Sequence, residues 1–197
     1  MKKLYLLIVV VSLFSVAGAQ TSGTFTDQRD GNEYKWVAIG EQIWMAENLA
    51  WKPEDGLYWS YRNRDAYFEK YGYLYDWNTA QTACPAGWRL PSYEDFGELL
   101  SFVGSRPASR LKASDGWQMN GNGTDQFGFA ALPGGKFSPS DGFDDGDLLG
   151  FWWTSTPYSG MNFPAARHLY MSPTLGFAEL NPAPKRMGFS VRCIKTK

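Results

Sequence analysis

The sequence is short of the residue types on which most metal and acid–base chemistry depends. Its 197 residues include one histidine, His168, and two cysteines, Cys84 and Cys193. A single imidazole cannot supply the nitrogen ligands of a zinc hydrolase, and no G-x-S-x-G elbow marks a serine nucleophile. His168 stands in Ala166-Arg167-His168-Leu169-Tyr170, which alternates like a strand, and reads as a sheet or surface side chain. Basic runs are also missing. The 19 Lys and Arg face 20 Asp and Glu for a net charge of −1, so nucleic acid is not an expected partner. Beyond residue 16 no stretch is long and apolar enough to cross a membrane. With no repeat, linker or low-complexity tract, one domain is expected.

What is there begins with an export signal. Lys2 and Lys3 precede an apolar run from Leu4 to Val16, and Ala17-Gly18-Ala19 offers a small-x-small cleavage site before Gln20. Residues 1–19 therefore read as a secretory signal peptide, with an apolar run too short to span a bilayer. No cysteine follows the small residues, which argues against a lipoprotein anchor. The remainder, residues 20–197, has the length of one domain with a real core, and it carries a net charge near −3 because Lys2 and Lys3 are lost. The expected location is the periplasm, the cell surface or the extracellular space. There, two cysteines most economically form one disulfide, a reactive thiol or metal ligand being the alternative. Such a loop is worth about 4–5 kcal/mol in the chain-entropy picture.

The stretch Cys84 to Val103 is the most legible. Ser92 and Asp95 form a capping-box pattern behind Pro91. Phe96, Leu99, Leu100 and Val103 then recur at helical spacing, and Gly104 can end the helix in the left-handed conformation. An earlier helix is expected over Tyr73 to Ala83, with Asp76 near its start. Residues 51–70 lack a clean period and read as a variable loop. Arg106 to Lys112 suggests a helical turn. Strands are expected around Tyr34 to Val37, Gln42 to Met45, Phe127 to Leu132, Trp152 to Ser155, Arg167 to Met171, Gly176 to Leu180 and Phe189 to Ile194.

Several runs carry a resemblance. Trp88-Arg-Leu-Pro-Ser92 with its helix resembles the helix start of C-type-lectin-like domains, a group that includes the formylglycine-generating-enzyme superfamily. DGNEY (30–34), IGEQIWMAENL (39–49), YGYLYDWNTA (71–80), ACPAGWRLPS (83–92), GWQMNGNGTDQFGFAALPGG (116–135), WWTST (152–156) and GFSVRCIK (188–195) resemble the Fibrobacter succinogenes major paralogous domain family. The resemblance implies an α+β fold of the C-type-lectin-like kind, with two helices packed on a small antiparallel sheet and long loops. It also implies a Cys84–Cys193 disulfide, joining the second-helix region to the last strand. The copper-binding cysteine pair of formylglycine-generating enzymes has no counterpart beyond these two cysteines, and the histidine triad of the related iron-dependent synthases is missing, so catalysis is not expected.

Candidate contacts lie in two places. Asp141, Asp144, Asp145 and Asp147 put four carboxylates within seven positions among glycines, a pattern that fits either a solvated turn or a Ca²⁺ site. Tyr58, Trp59, Tyr61 and Arg62 bring rings and a guanidinium together, which suits sugar stacking or a protein hot spot as well as a small core under a loop. Asn120 to Asp125 reads as a tight turn, with an oxygen-ligand site as the alternative. The expected function is a secreted, non-catalytic, lectin-like binding or adhesion module for a glycan or a surface protein. Its rivals are a divergent formylglycine-generating-type oxidoreductase and a structural part of an envelope or fibre assembly.

Overall fold

Residues 21–196 are the residues that the computed structural model describes, and the proposed signal peptide at 1–19 lies outside them. The described chain runs β1 (Ser22–Thr26), β2 (Glu33–Ile39), β3 (Gln42–Met45) and β4 (Tyr58–Ser60), then a 3₁₀ turn (Tyr61–Asn63) and α1 (Asp65–Tyr71). Next come β5 (Tyr73–Tyr75), α2 (Trp77–Ala83), β6 (Trp88–Arg89), α3 (Tyr93–Val103) and α4 (Pro107–Leu111). The rest is β7 (Lys136–Ser138), β8 (Gly142–Asp144), β9 (Gly150–Tyr158), β10 (Ala165–Met171), β11 (Glu179–Pro184), β12 (Phe189–Ser190) and β13 (Ile194–Lys195).

This corrects the expected fold class. The chain is mostly β, with 34% strand and 19% helix, in three sheets with four helices, rather than two helices on one small antiparallel sheet. One sheet has the order β1-β2-β3-β13-β6, so both ends of the described chain meet in it. A second, six-stranded sheet has the order β11-β10-β9-β12-β5-β4 and contains one parallel pairing, β12 beside β9. The third is the hairpin β7–β8.

Strand content exceeds what the sequence pattern predicts because several strands are only two or three residues long and no alternation can show in them. Tyr73–Tyr75, expected as the start of a helix, is instead a strand between β4 and β12. Asp76, extended at ψ 161°, ends it and caps α2 by accepting the Thr79 amide at 3.0 Å. The expected variable loop at 51–70 holds β4, the 3₁₀ turn and α1. Phe127 to Leu132 forms no strand; its one ladder contact is the bridge of Ala131 to Lys112.

The second-helix unit forms as its sequence dictates. Ser92 Oγ accepts the Asp95 amide at 3.1 Å, and the Asp95 carboxylate accepts the Ser92 amide at 2.6 Å. Arg89 clamps the same carboxylate with two donors, at 2.5 and 2.8 Å. Burial alone would raise the Asp95 pKa, but the Arg89 and Ser92 hydrogen bonds outweigh it and hold the carboxyl below its ordinary value. Phe96, Leu99 and Val103 are buried on one face, each worth about 1.5–3 kcal/mol of transfer free energy. Gly104 closes the helix at φ 75°.

Trp152 and Trp153 show how the six-stranded sheet divides the core. Successive strand residues face opposite ways. Trp152 therefore packs with Trp44, Phe96, Leu99 and Phe129, while Trp153 packs with Tyr75, Ala80, Ala166 and Phe189. Cys84, at the end of α2, is bonded to Cys193, just before β13. With a sequence separation of 109, replacing both cysteines by serine is expected to lower the unfolding free energy by about 3–5 kcal/mol in urea denaturation. No change in midpoint would remove the bridge from the stability argument.

His168 lies in the second half of the core, with its ring 4.8 Å from Phe189 and 5.8 Å from Phe151. Its Nδ1 is buried without a partner, and burial pulls the pKa down to about 4 despite a hydrogen bond to the Asn181 backbone. The folded protein thus keeps the ring neutral while the unfolded chain takes up a proton near pH 6.5. Stability is unaffected by this group above that pH, and it falls by up to about 3 kcal/mol as pH drops from 6.5 to about 4. Thermal melts of His168→Phe should show a flatter acid limb over that window; parallel limbs for the two proteins would refute the assignment.

Candidate functional site

The predicted contact residues take up structural duties. Tyr61 is buried at 3% exposure, and its hydroxyl accepts the Gly146 amide at 2.9 Å. Trp59 stacks on Phe137 at 4.1 Å, Phe137 meets Phe143, and Phe143 meets the edge of Tyr61. This ring ladder pins the β7–β8 hairpin against β4 and the 3₁₀ turn. Tyr58 packs edge-on against Tyr73. Arg62 alone of the four is exposed, at φ 55° with its guanidinium 5.5 Å from the Tyr61 ring.

The four aspartates are divided among three sets of partners. Asp141 accepts from Ser138 and Ser140 at the hairpin tip, at 2.8 and 2.7 Å. Asp144 and Asp145 face Lys136 at 3.7 and 2.5 Å. Asp147 accepts from the Tyr71 hydroxyl and lies 3.6 Å from Lys70 Nζ. Burial, and then Asp147, raise the pKa of Tyr71, so the proton stays on the phenol. Of the two readings of this run, a solvated turn or a Ca²⁺ site, the contacts described are those of side chains serving the hairpin and its neighbours. Among the described residues, no group of three or more His, Cys, Asp or Glu side chains is placed to hold a metal ion.

A concave site lies elsewhere. A cavity of about 620 Å³ opens between the start of β2, the end of α1 and the loop 113–132, a volume in the range of ligand pockets. From β2 and the segment after β3 come Glu33, Lys35 and Glu47; the Lys35 amide donates to Glu47 at 2.8 Å. α1 contributes Phe68, Glu69 and Lys70, and the long loop contributes Asp115, Asp125 and Ala130. A second cavity of about 640 Å³ shares Asn32, Ala50 and Phe68 with the first, so the two form one groove. Its own walls include Trp51 and Tyr73, with the Arg29 guanidinium 3.9 Å from the Trp51 ring. None of the eight predicted contact residues lines either cavity.

Asn48 forms part of the floor. Its Oδ1 accepts from Trp152 Nε1 at 2.8 Å and from Arg192 Nη2 at 2.9 Å, and its Nδ2 donates to the Tyr71 carbonyl at 3.0 Å. Behind it Arg192 is fully buried. Its guanidinium donates to the carbonyls of Phe129 and Ala130 and lies 4.5 Å from the Phe129 ring. Burial pulls its pKa down to about 9, against the opposing charges of Asp125 and Glu47, and it remains a cation at neutral pH. Above it the loop is strained. Asp125 and Ala130 adopt φ of 45° and 49°, a region that costs an L-residue about 1–2 kcal/mol. Asp125 Oδ1 holds the Ala130 amide at 2.7 Å, so the two strained residues are locked together. Burial raises the Asp125 carboxyl above its ordinary value, though the Ala130 amide and Arg192 pull the other way.

Sequence reasoning passed over these groove residues. A signal was available for Arg192, which stands between Val191 and Cys193 in the otherwise apolar stretch Val191 to Ile194. A polar residue inside an apolar run is the mark of a buried, paired group. The site and fold together define a disulfide-closed, mostly β domain with a polar groove on a buried-arginine floor. The chain belongs to the Fibrobacter succinogenes major domain family, whose model matches residues 37–195. Neither the curated proteins nor the solved structures yield a match to it.

Replacing Arg192 with lysine tests the floor. A point ammonium cannot serve the Phe129 and Ala130 carbonyls and Asn48 Oδ1 with the same fork. Arg192→Lys should cost about 2–4 kcal/mol, a fall in Tm of roughly 5–15 °C by differential scanning calorimetry. An unchanged Tm would mean that the fork is not the anchor.

Proposed function

We propose that the protein is an exported, non-catalytic binding or adhesion module. It comprises one domain, residues 20–197 after loss of a signal peptide at 1–19, and it takes a glycan or protein ligand in the groove between β2, α1 and the 113–132 loop. The observation that carries this reading is convergence. DGNEY, the MAENL end of the second run, the start of YGYLYDWNTA and the DQFGFAAL run all contribute to the walls, while GFSVRCIK supplies Arg192 beneath them and WWTST supplies the Trp152 bond to Asn48. Runs that lie far apart in the chain and carry the family resemblance meet at a single concave surface.

Export agrees with the disulfide, which belongs to an oxidising compartment. A binding role rather than an oxidase role is supported by the state of the reactive side chains. Both cysteines are consumed in the bridge, and the sole histidine is buried among rings. Neither offers a thiolate pair for copper or an accessible base.

The test is an array screen of residues 20–197 on immobilised glycans and peptides, run in calcium and again in EDTA. A restricted set of ligands should bind equally in both buffers. Ala50→Trp, at the junction of the two cavities, should abolish that binding while leaving the melting curve intact. Binding to nothing on either array, or binding that survives Ala50→Trp undiminished, would sink the reading.

A further inference from the structure

We infer that the groove takes a positively charged polypeptide segment, one presenting lysine or arginine side chains, from another protein. This rests on the binding-module reading and specifies its ligand. Three features of the groove lead to it.

The first is shape. Two adjoining cavities of about 620 and 640 Å³ form a trough open to solvent across the start of β2 and past α1, suited to a run of side chains rather than to one small molecule. The second is charge. Eight carboxylates line the trough against four basic side chains. Arg29 is held by Asp27 at 2.7 Å, Lys70 by Asp147 at 3.6 Å, and Lys35 faces Glu47 at 4.0 Å, so three of the four cations already have an anion. Asp30, Glu33, Glu54, Asp55, Glu69 and Asp115 are exposed and have no basic side chain within ion-pair distance among the described residues. The trough therefore carries an excess of negative charge far larger than its share of the chain's net −1. Arg192 lies beneath, with its donors committed to Asn48, Phe129 and Ala130, and it offers nothing to an anionic ligand.

The third feature is the aromatic lining. Trp51, Phe68 and Tyr73 present half-buried rings along the same walls. Phe68 and Tyr73 stack at 4.6 Å, which fixes their faces, and the Arg29 guanidinium at 3.9 Å from Trp51 is an internal example of the contact that a ligand cation would make. Fixed rings beside unpaired carboxylates recognise guanidinium and ammonium groups through cation–π contact and ion pairing together. A neutral glycan would use the rings but not the charge excess, and an acidic ligand would be repelled.

The experiment is fluorescence anisotropy on the whole exported domain with a labelled heptapeptide of alternating glycine and arginine. Two matched peptides, one with glutamine and one with glutamate in place of arginine, serve as comparisons. The arginine peptide should bind, the other two should not, and its affinity should fall as NaCl rises. The double variant Glu69→Gln/Asp115→Asn should weaken it roughly tenfold, the effect of losing two exposed ion pairs. Glu41→Gln/Glu98→Gln, which removes as much charge away from the trough, should leave it unchanged. Equal binding of the glutamine peptide, equal weakening by the two double variants, or no binding of the arginine peptide would each overturn the inference. In the last case, a neutral glycan retained on the array and lost in Ala50→Trp would keep the binding-module reading and replace only the ligand.

Discussion

A single buried cation holds the groove together. Arg192 comes from the strand region at the C-terminal end, Asn48 from the segment after β3, Phe129 and Ala130 from the long loop, and Trp152 from the middle of the six-stranded sheet. Desolvating a guanidinium costs several kcal/mol, and that cost is recovered only if every donor finds an acceptor in good geometry. The requirement makes the arrangement all-or-none. If the loop shifts, two carbonyls and a charge are stranded, so the loop cannot drift. This is how a stretch with almost no regular structure, residues 113–135, forms a firm wall. The same anchoring lets Asp125 and Ala130 persist in backbone conformations that they would otherwise leave.

The disulfide and the capping box support that node from the other side. Cys193 follows Arg192 directly, and its bond to Cys84 ties the C-terminal segment to the end of α2. The Met45 amide donates to the Cys193 carbonyl at 3.0 Å, and the Leu49 amide donates to the Val191 carbonyl at 2.8 Å, so the chain on either side of Arg192 is fixed against the chain on either side of Asn48. Arg89, one residue after Trp88 in β6, then clamps the first turn of α3 through Asp95. Gln42 connects β3 to that same helix through the Asp95 carbonyl, at 3.0 Å. Sheet, helix and floor are thereby linked by polar bonds at defined points, with the two apolar clusters filling the space between.

What the sequence disclosed divides along physical lines. Local chemistry was legible. Ser92 and Asp95 could be read as a cap because both partners lie three residues apart, and the Cys84–Cys193 pairing followed from there being only two cysteines. Non-local chemistry was not. β5, β6, β12 and β13 are strands only because distant partners complete them, so the helix expected over Tyr73 to Ala83 lost its first turn to a sheet, and the expected lectin-like arrangement gave way to a mostly β one. Exposure was open for a related reason. The ring cluster at Tyr58 to Tyr61 reads equally as a contact surface or as a small core under a loop, and the β7–β8 hairpin folds over it and supplies Phe137 and Phe143 as partners. Nothing in residues 58–62 announces a hairpin 75 positions later.

The acidic hairpin carries the same lesson in electrostatic form. Four carboxylates close in sequence resemble a cation site only if the backbone brings them to one point. Here Asp141 is at a turn, Asp144 and Asp145 flank the end of β8, and Asp147 is turned back by its left-handed backbone, at φ 64°, towards Tyr71. Each finds a protein donor, and the group stabilises the hairpin that buries Tyr61. The groove behaves in the opposite way. Its carboxylates come from the start of β2 and the turn before it, the segment between β3 and β4, α1 and the long loop, and most of them find no protein cation. In the hairpin, Asp144, Asp145 and Asp147 have cations within ion-pair distance, whereas six of the trough carboxylates have none among the described residues and face solvent. Bringing like charges together costs stability, and the cost is recovered only when something of opposite charge arrives, which is the reason to look for the ligand in the trough rather than at the aspartate run.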